Sequence, residues 1–381
     1  MSIINNRSIA IIGGGPGGLT LARLLQLKGA NVKVYERDSN KDARQQGATL
    51  DLHHDSGLLA LQEAKLMEAF MSNYRPGADR LRIVNKNATV IFEDRDDETA
   101  QERQRPEIDR GPLQKILLES LQAGTVIWDS HFLSLDKKND QWKLEFKNGT
   151  SAIADIVIAA DGANSKLRTY ITDIKPFYCG VTALEGAVYN AATIIPATNQ
   201  LLNGGKIFAM DDEKTLIVSS KGDGSLVFYT SIKTGENWAK ESGIDFTDRV
   251  QVLEWFNKTY IGWDKIWQEL FENAAGSFIP RPIYCMPLDQ TWVTLPNITM
   301  LGDAAHLMPP FAGEGVNMAM LDALELSNCL TNDNFNNLHT AIETYEKQMR
   351  IRAAQAANDS LESTEQLHSH HAIDFMMQVI N

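Results

Sequence analysis

The run Gly13-Gly14-Gly15-Pro16-Gly17-Gly18 carries the spacing GxGxxG at Gly13, Gly15 and Gly18. Glycine there answers three demands: a tight turn, close approach of backbone to a pyrophosphate, and close packing of a helix on a strand. A helix that starts just past the turn offers free N–H groups and a partial positive charge to phosphate oxygens. Glu36, at the end of the next predicted strand, can accept hydrogen bonds from a ribose. Arg37 directly follows it, and Arg110 stands at a predicted helix start after PEID. Either guanidinium can pair with phosphate or adenine, or form an ordinary surface ion pair. These residues predict a dinucleotide site and leave FAD and NAD equally open.

Two later segments also place glycine and aspartate where a strand ends. Asp161-Gly162 follows IVIAA within DGANSKLR, and Gly302-Asp303 follows ITML and opens GDAAHLMPPFAGEGVNMAM. Asp303 alone would also read as a turn or cap residue. Pro309, Pro310, Gly313 and Gly315 hold off helix until about Val316, so the backbone around Gly315, Val316 and Asn317 keeps N–H groups free for a negative charge. The histidines are less telling. His368, His370 and His371 have no second group of ligands at zinc spacing and read as a solvated helix end. His53-His54 could cap a helix or line a site, and His306 could simply hydrogen-bond within its segment. No nucleophile elbow, HExxH or Walker loop is present.

The elements that must position these groups are readable from periodicity. Ser8–Ile12 is an apolar run, Leu19–Leu27 has helical leucine spacing stopped by Gly29, and Val32–Glu36 alternates as a strand. Together they make a βαβ unit of about 30 residues. Asp55 and Ser56 predict the cap of a helix with Leu59, Met67 and Phe70 on its apolar side, and Asp109 that of a helix bearing Leu113, Ile116, Leu117 and Leu121. LRIVN and TVIFE read as strands, and the charge-rich Asp94–Arg105 as a solvated loop. TVIW, FLSLD and WKLEF are β segments, Asn148-Gly149 a turn, and Ile156–Ala160 a strand buried on both faces. Between about Pro176 and Pro280, short β runs such as LIVSS and SLVFYTSI are joined by Gly/Asp turns, with a helical stretch near Val250–Phe256. Ile298–Leu301 returns to a buried strand, Val316–Leu326 is helical, and the chain from Leu338 onward is largely helical.

Composition sets the outer bounds. The chain has 381 residues, 43% hydrophobic and 22% charged, enough for a substantial core and too apolar for global disorder. A formal charge of −13 disfavours nonspecific attraction to nucleic acid or anionic membranes. Cys179, Cys285 and Cys329 are too scattered for a disulfide framework or a metal knuckle, and read as buried thiols in a reducing compartment. Met1–Arg7 is short and polar, unlike a secretory signal, and no apolar stretch nears the roughly 20 residues that span a bilayer. The expectation is a cytoplasmic protein without metal.

In order and spacing, the GxGxxG, Asp-Gly and Gly-Asp segments resemble the three signatures of the flavin-dependent aromatic hydroxylases, the para-hydroxybenzoate hydroxylase-like family. The resemblance implies an α/β fold: a Rossmann-like FAD-binding domain (1–175 and 281–335), an inserted antiparallel-sheet substrate domain (176–280) and a C-terminal helical segment (336–381). It implies that Asp303 binds the FAD ribityl chain, that Asp161-Gly162 serves both the FAD pyrophosphate and NAD(P)H, and that Arg110 contacts the cofactor. The helix start at Gly315–Asn317 would then face the flavin pyrimidine edge, with Pro310 and Phe311 as walls between flavin and substrate.

The segments GGGPGGLTLARLLQLKG, VYERD, ATLDLHHDSG, PEIDRGPLQKILLESL, TVIWD and GDAAHLMPPFAGEGVN are more closely similar to the tetracycline-inactivating flavin monooxygenases. That resemblance implies NADPH (or NADH) as reductant, O2 as oxidant, and a C4a-hydroperoxyflavin that hydroxylates a small cyclic or polycyclic substrate. Those enzymes grip tetracycline with Gln, Arg and His side chains. Here the matching places hold YCGVTALEG with Thr182, then Lys206, then Val227. Lys206 stands in for an arginine without its bidentate geometry, and Val227 cannot replace a histidine. Tetracycline is thus one candidate substrate, and no single acid or base is compelled. Rival readings are a flavin-dependent reductase or dehydrogenase on the same fold, or a flavin-binding protein without enzymatic activity.

Overall fold

The computed structural model describes residues 3–43, 48–94 and 105–380. The predicted charge-rich loop lies, apart from its two ends, outside the described residues. The first strand, Ser8–Ile12, pairs in parallel with Asn31–Tyr35 on one side and Ile156–Ala159 on the other. Val126–Ile127 and Ile298–Met300 complete a five-stranded parallel sheet. All four residues of Ile156–Ala159 are fully buried, as an unbroken apolar run in a two-sided sheet requires. The helix Pro16–Leu27 covers this sheet and crosses the helix Gly315–Thr331 at Gly17. A Cβ on Gly17 would lie 2.8 Å from Leu301 Cδ1 and 2.9 Å from the Ala319 carbonyl oxygen, so only glycine permits the crossing.

The inserted sheet has seven strands, ordered Ile279–Cys285, Phe177–Val188, Leu226–Lys233, Lys214–Ser220, Lys206–Asp211, Leu81–Val84, Val90–Glu93. It is antiparallel except where Leu81–Val84 runs parallel to Lys206–Asp211. Residues 176–280 are therefore not self-contained: two strands from the N-terminal half complete their sheet, and its edge strand Ile279–Cys285 runs through the expected boundary at 280. One face of the sheet is sealed by the helices Arg249–Thr259 and Lys265–Glu272. Their rings pack with Phe228 of the sheet, Phe256 stacking on Phe271 at 4.1 Å between ring centres. Asp248 and Asp264 start these helices by accepting from Val250 N–H and Ile266 N–H. The opposite face is covered in part by the C-terminal helices and otherwise lines a cavity.

The helix Leu338–Leu367 ties the two sheets together. Tyr345 near its start donates to the Met300 carbonyl at 3.0 Å, and His368 at its end meets Ser231 Oγ of the inserted sheet at 2.7 Å. His368 is therefore not solvated as predicted. It is fully buried, and burial pushes its pKa down to about 4. His370 and His371 are exposed. A last helix, Ala372–Ile380, lays Met376 against Ile83 and Met210.

Three local expectations need correction. The helix after Ser56 is two helices, Gly57–Glu63 and Met67–Met71, broken at Lys65 where φ is 59°. Asp109 stands at the cap of Arg110–Glu119, but its carboxylate turns away to accept from Gly222 N–H at 2.9 Å. Cys285 and Cys329 are buried, whereas Cys179 is only half-buried. No helix among the described residues is long and apolar enough to cross a membrane.

Candidate functional site

The glycine turn behaves as its spacing demands. Gly13 has φ 112°, and a Cβ there would sit 2.2 Å from the Ala160 carbonyl oxygen. A Cβ on Gly18 would sit 2.2 Å from the Gly13 carbonyl oxygen. These two glycines fix the turn against the strand and helix. Gly15 differs: a Cβ there would meet nothing within 4 Å, because Gly15 faces a cavity. Glu36 accepts from Gly14 N–H at 2.6 Å and Asp38 N–H at 3.0 Å, so its carboxylate is locked at the lip of the turn.

The cavity has a volume of about 2300 Å³ and runs from this turn to the open face of the inserted sheet. Of the predicted site residues, Gly15, Gly18, Arg110, Gly162, Lys206, Asp303, Pro310, Phe311, Gly313, Gly315 and Val316 line it. The helix Gly315–Thr331 has no side-chain cap, and its first turn opens onto the cavity with a net N-terminal positive field. Gly313, with φ 74°, makes the turn that admits this start. Phe311 packs edge-on against His368, which fixes the ring where the long helix ends.

Six predicted residues do not reach the cavity wall. Gly13, Glu36 and Asp161 border the glycine and aspartate loops without lining the cavity themselves. Arg37 is exposed outside it. Asn317 is fully buried and spends its side chain on loops rather than on a ligand, while its backbone belongs to the uncapped helix turn. Thr182 is buried and bonded to Tyr178 Oη at 2.9 Å. The next residues of alternating phase, Ala183 and Glu185, face the cavity instead, so the expectation for Thr182 fails by one position of strand register.

Lys206 lines the cavity with its ammonium paired to a carboxylate of the protein, that of the buried Glu107. Burial raises the Glu107 carboxyl above its ordinary range, against the pull of Lys206. Asp303 is half-buried, and burial raises it likewise, opposed by His306, Arg110 and Arg168. Asp161 is raised by burial and accepts from Lys166 N–H at 3.0 Å, with its Oδ1 buried and unpartnered.

Several residues that organise the site gave no periodic signal in the sequence. Arg168 is buried and donates to the Ala304, Asp303 and Ala163 carbonyls at 2.6, 2.8 and 3.2 Å, joining the Asp161 and Asp303 loops. Asp322 accepts from Gly302 N–H at 2.9 Å and pairs with His306 at 2.5 Å and Arg352 at 2.8 Å. Asp51, His53 and Glu314 line the cavity beside Gly313. Arg168 is the last residue of DGANSKLR, and His53 lies in a run already singled out, so position within a motif was the one available signal.

The family described as FAD binding domain matches residues 6–175 and 296–360. Both stretches carry the glycine and aspartate loops above and skip most of the inserted sheet. Monooxygenase asqM of Emericella nidulans is 28% identical over 370 residues, covering 84% of this chain and 82% of its own. A Photorhabdus luminescens structure assigned as an FAD containing monooxygenase superposes with a TM-score of 0.78 at 27% identity, over 95% of this chain and 98% of its own. Tetracycline destructase Tet(51) shares the fold, with a TM-score of 0.73 and 19% identity over 100% of this chain and 95% of its own.

Proposed function

The chain belongs to the FAD binding domain family and is an FAD-dependent monooxygenase, and we propose that it hydroxylates a small cyclic or polycyclic organic molecule with NAD(P)H as reductant. One observation carries the reading: a single cavity joins the dinucleotide cradle to the open face of the inserted sheet. A cofactor and an organic substrate can thus share one continuous volume, which monooxygenation needs.

The residues present fit FAD. Gly15 leaves open the space a pyrophosphate would take, and the helix Pro16–Leu27 points its N-terminus there. Glu36 would hold the ribose, Arg110 and the Gly162 backbone the phosphates, and Asp303 the ribityl chain. The uncapped start of Gly315–Thr331 would favour a negatively charged reduced ring. When bound, FAD supplies the electron chemistry that activates dioxygen. The chain's part is to hold the substrate, exclude water and place protons. Pro310 and Phe311 wall the junction, and Phe208, Tyr229, Ile283, Phe375 and Met376 offer a largely apolar seat.

In the proposed division residues 1–175 and, beyond the strand Ile279–Cys285, the rest of 281–335 would hold the cofactor, 176–280 with that strand and the strands Leu81–Val84 and Val90–Glu93 would face the substrate, and 336–381 would tie the halves. Tetracycline is the first substrate to test, on the fold shared with a tetracycline destructase. The purified protein should show flavin absorbance, and NADPH oxidation should rise with a ligand from a cyclic-compound panel that includes tetracycline. A product heavier by one oxygen atom supports hydroxylation. Ligand-stimulated NADPH consumption without oxygen in the product would replace it with a reductase.

A further inference from the structure

His53 stands between two carboxyls in the cavity wall. Its Nε2 lies 3.3 Å from Asp51 Oδ2 and its Nδ1 lies 3.6 Å from Glu314 Oε1. All three residues line the cavity, and Glu314 lies between Gly313 and Gly315, three positions after Phe311. The two carboxyls come from distant parts of the chain, and their juxtaposition is imposed by the buried Asn317. Its side-chain oxygen accepts from His53 N–H at 2.9 Å, while its amide donates to the Asp51 and Gly313 carbonyls at 2.9 and 3.2 Å. One side chain thus sets the backbone under His53 and Asp51 and that of Gly313, next to Glu314.

We propose that Asp51, His53 and Glu314 form a proton relay, with the His53 imidazole as the carrier between the two carboxyls; its use in turnover rests on the hydroxylation proposed above. The transfer is balanced. Nδ1 of His53 takes the proton of the Glu314 carboxyl as the Nε2 proton passes to the Asp51 carboxylate. The imidazole ends neutral in its other tautomer, Glu314 ends ionised, and Asp51 ends protonated. Monooxygenation needs such a supply, because water formed from the second oxygen atom takes up a proton that the hydride donor does not bring. The 3.6 Å gap closes with a shift of a few tenths of an ångström, within the looseness typical of sites before the ligand is bound.

The surroundings set the protonation from which that transfer starts, and the step itself runs uphill. It is completed when Asp51, a strong acid once protonated, passes the proton to an acceptor in the cavity and Glu314 is reloaded from solvent. Burial raises the Glu314 carboxyl above the ordinary range, with Asp55 and Asp51 adding to the rise and His53 and Arg105 opposing it. Asp51 is held below its ordinary range: burial opposes this, but the hydrogen bond from His53 and the charge of Lys206 outweigh it. Arg105 also faces Asp51, at 4.0 Å, and Glu107 stands close by. Two carboxyls whose environments push them apart, one left holding a proton and the other ionised, is the arrangement that acid–base work requires.

The test uses the FAD-loaded protein and needs neither the organic substrate nor NADPH, so its failure is distinct from a failure of the hydroxylation reading. In nitrogen-15 imidazole spectra, the His53 signals are those missing from His53→Gln. In Glu314→Leu the Nδ1 resonance should move, because the proton donor facing it is gone, while Nε2 keeps its Asp51 partner. An unmoved Nδ1 resonance overturns the relay. In the second readout, flavin reduced with dithionite is mixed with air and its reoxidation followed by absorbance across pH. His53→Gln should reoxidise about tenfold more slowly near neutral pH and lose the pH dependence of the parent protein. His53→Ala should recover speed when imidazole is added. A parent-like pH profile in His53→Gln, or no recovery with imidazole, overturns the proposal.

Discussion

The backbone N–H of His53 donates to Asn317 Oδ1 at 2.9 Å, across 264 positions of sequence. This bond joins the loop after Leu50–Asp51 to the start of the helix Gly315–Thr331, the two walls between which the candidate relay stands. Asn317 is also the residue that the sequence placed at the flavin for its backbone. In the structure its side chain holds the site together from behind.

Asn317→Ala should therefore damage binding and stability together. It leaves the His53 N–H and the Asp51 and Gly313 carbonyls without their amide partner in a buried setting. The expected loss is about 2–4 kcal/mol in urea unfolding, with reduced flavin per protein after purification. Parent-like stability with full flavin would show that water replaces the amide without cost.

The glycine turn separates fold from function in a single pair of variants. Gly13→Ala combines φ 112° with a Cβ at 2.2 Å from the Ala160 oxygen, and should cost about 3 kcal/mol or more. Gly15→Ala is different. Gly15 has φ −74°, which alanine accepts, and its Cβ would meet no protein atom within 4 Å. The variant should keep its melting temperature without FAD, or gain slightly, yet bind FAD at least about tenfold more weakly. Differential scanning fluorimetry and flavin-fluorescence titration measure the two effects independently.

The fold was legible wherever one period dominated. IVIAA, SIAII and ITML are buried strands, and the glycine and aspartate loops sit at their ends as the spacing required. What failed was set by contacts distant in sequence. LRIVN is a strand on its own pattern, but only Lys206–Asp211 decides that it joins the inserted sheet. Thr182 and Ala183 are equally plausible wall residues until the register with Leu226–Lys233 is known. His368 looks like a polar helix end until Ser231 and Phe311 close over it. The cofactor half of the site was carried by local motifs, and the substrate half by tertiary packing.

His306 and Asp322 should make stability pH-dependent around neutrality. Both are buried. His306 is raised: burial works against this, but the Asp322 carboxylate outweighs it. Asp322 is lowered, because His306 and Arg352 outweigh its own burial. A histidine raised on folding contributes stability that is fully present below its unfolded pKa, about 6.5, and fades as pH rises through the folded value. The aspartate's contribution is present above about 3.9 and is lost as pH falls through its folded value. His306→Asn should therefore cost about 3 kcal/mol near pH 6 and less as pH rises, read from urea midpoints. A gap that widens with pH would reverse the assignment.

Lys206 offers the sharpest separation of a structural from a binding role. Its ammonium neutralises Glu107, whose carboxylate is buried with one oxygen unpartnered. In Lys206→Met, Glu107 loses its cation and its carboxyl, already raised by burial, rises further. The sign follows from linkage: a carboxyl raised on folding favours the fold while protonated, and that advantage is lost as pH climbs through its folded value. Lys206→Met should thus be nearly as stable as the parent at about pH 5 and weaker by about 3 kcal/mol at about pH 8. Adding Glu107→Leu should restore stability at both, since replacing a whole buried ion pair by apolar groups is often neutral. The restored double variant then answers the functional question. If Lys206 only balances Glu107, its KM for a turned-over substrate stays at the parent value. If the ammonium also holds a polar edge of the substrate, KM rises with kcat little changed, because binding shared by ground and transition states is lost.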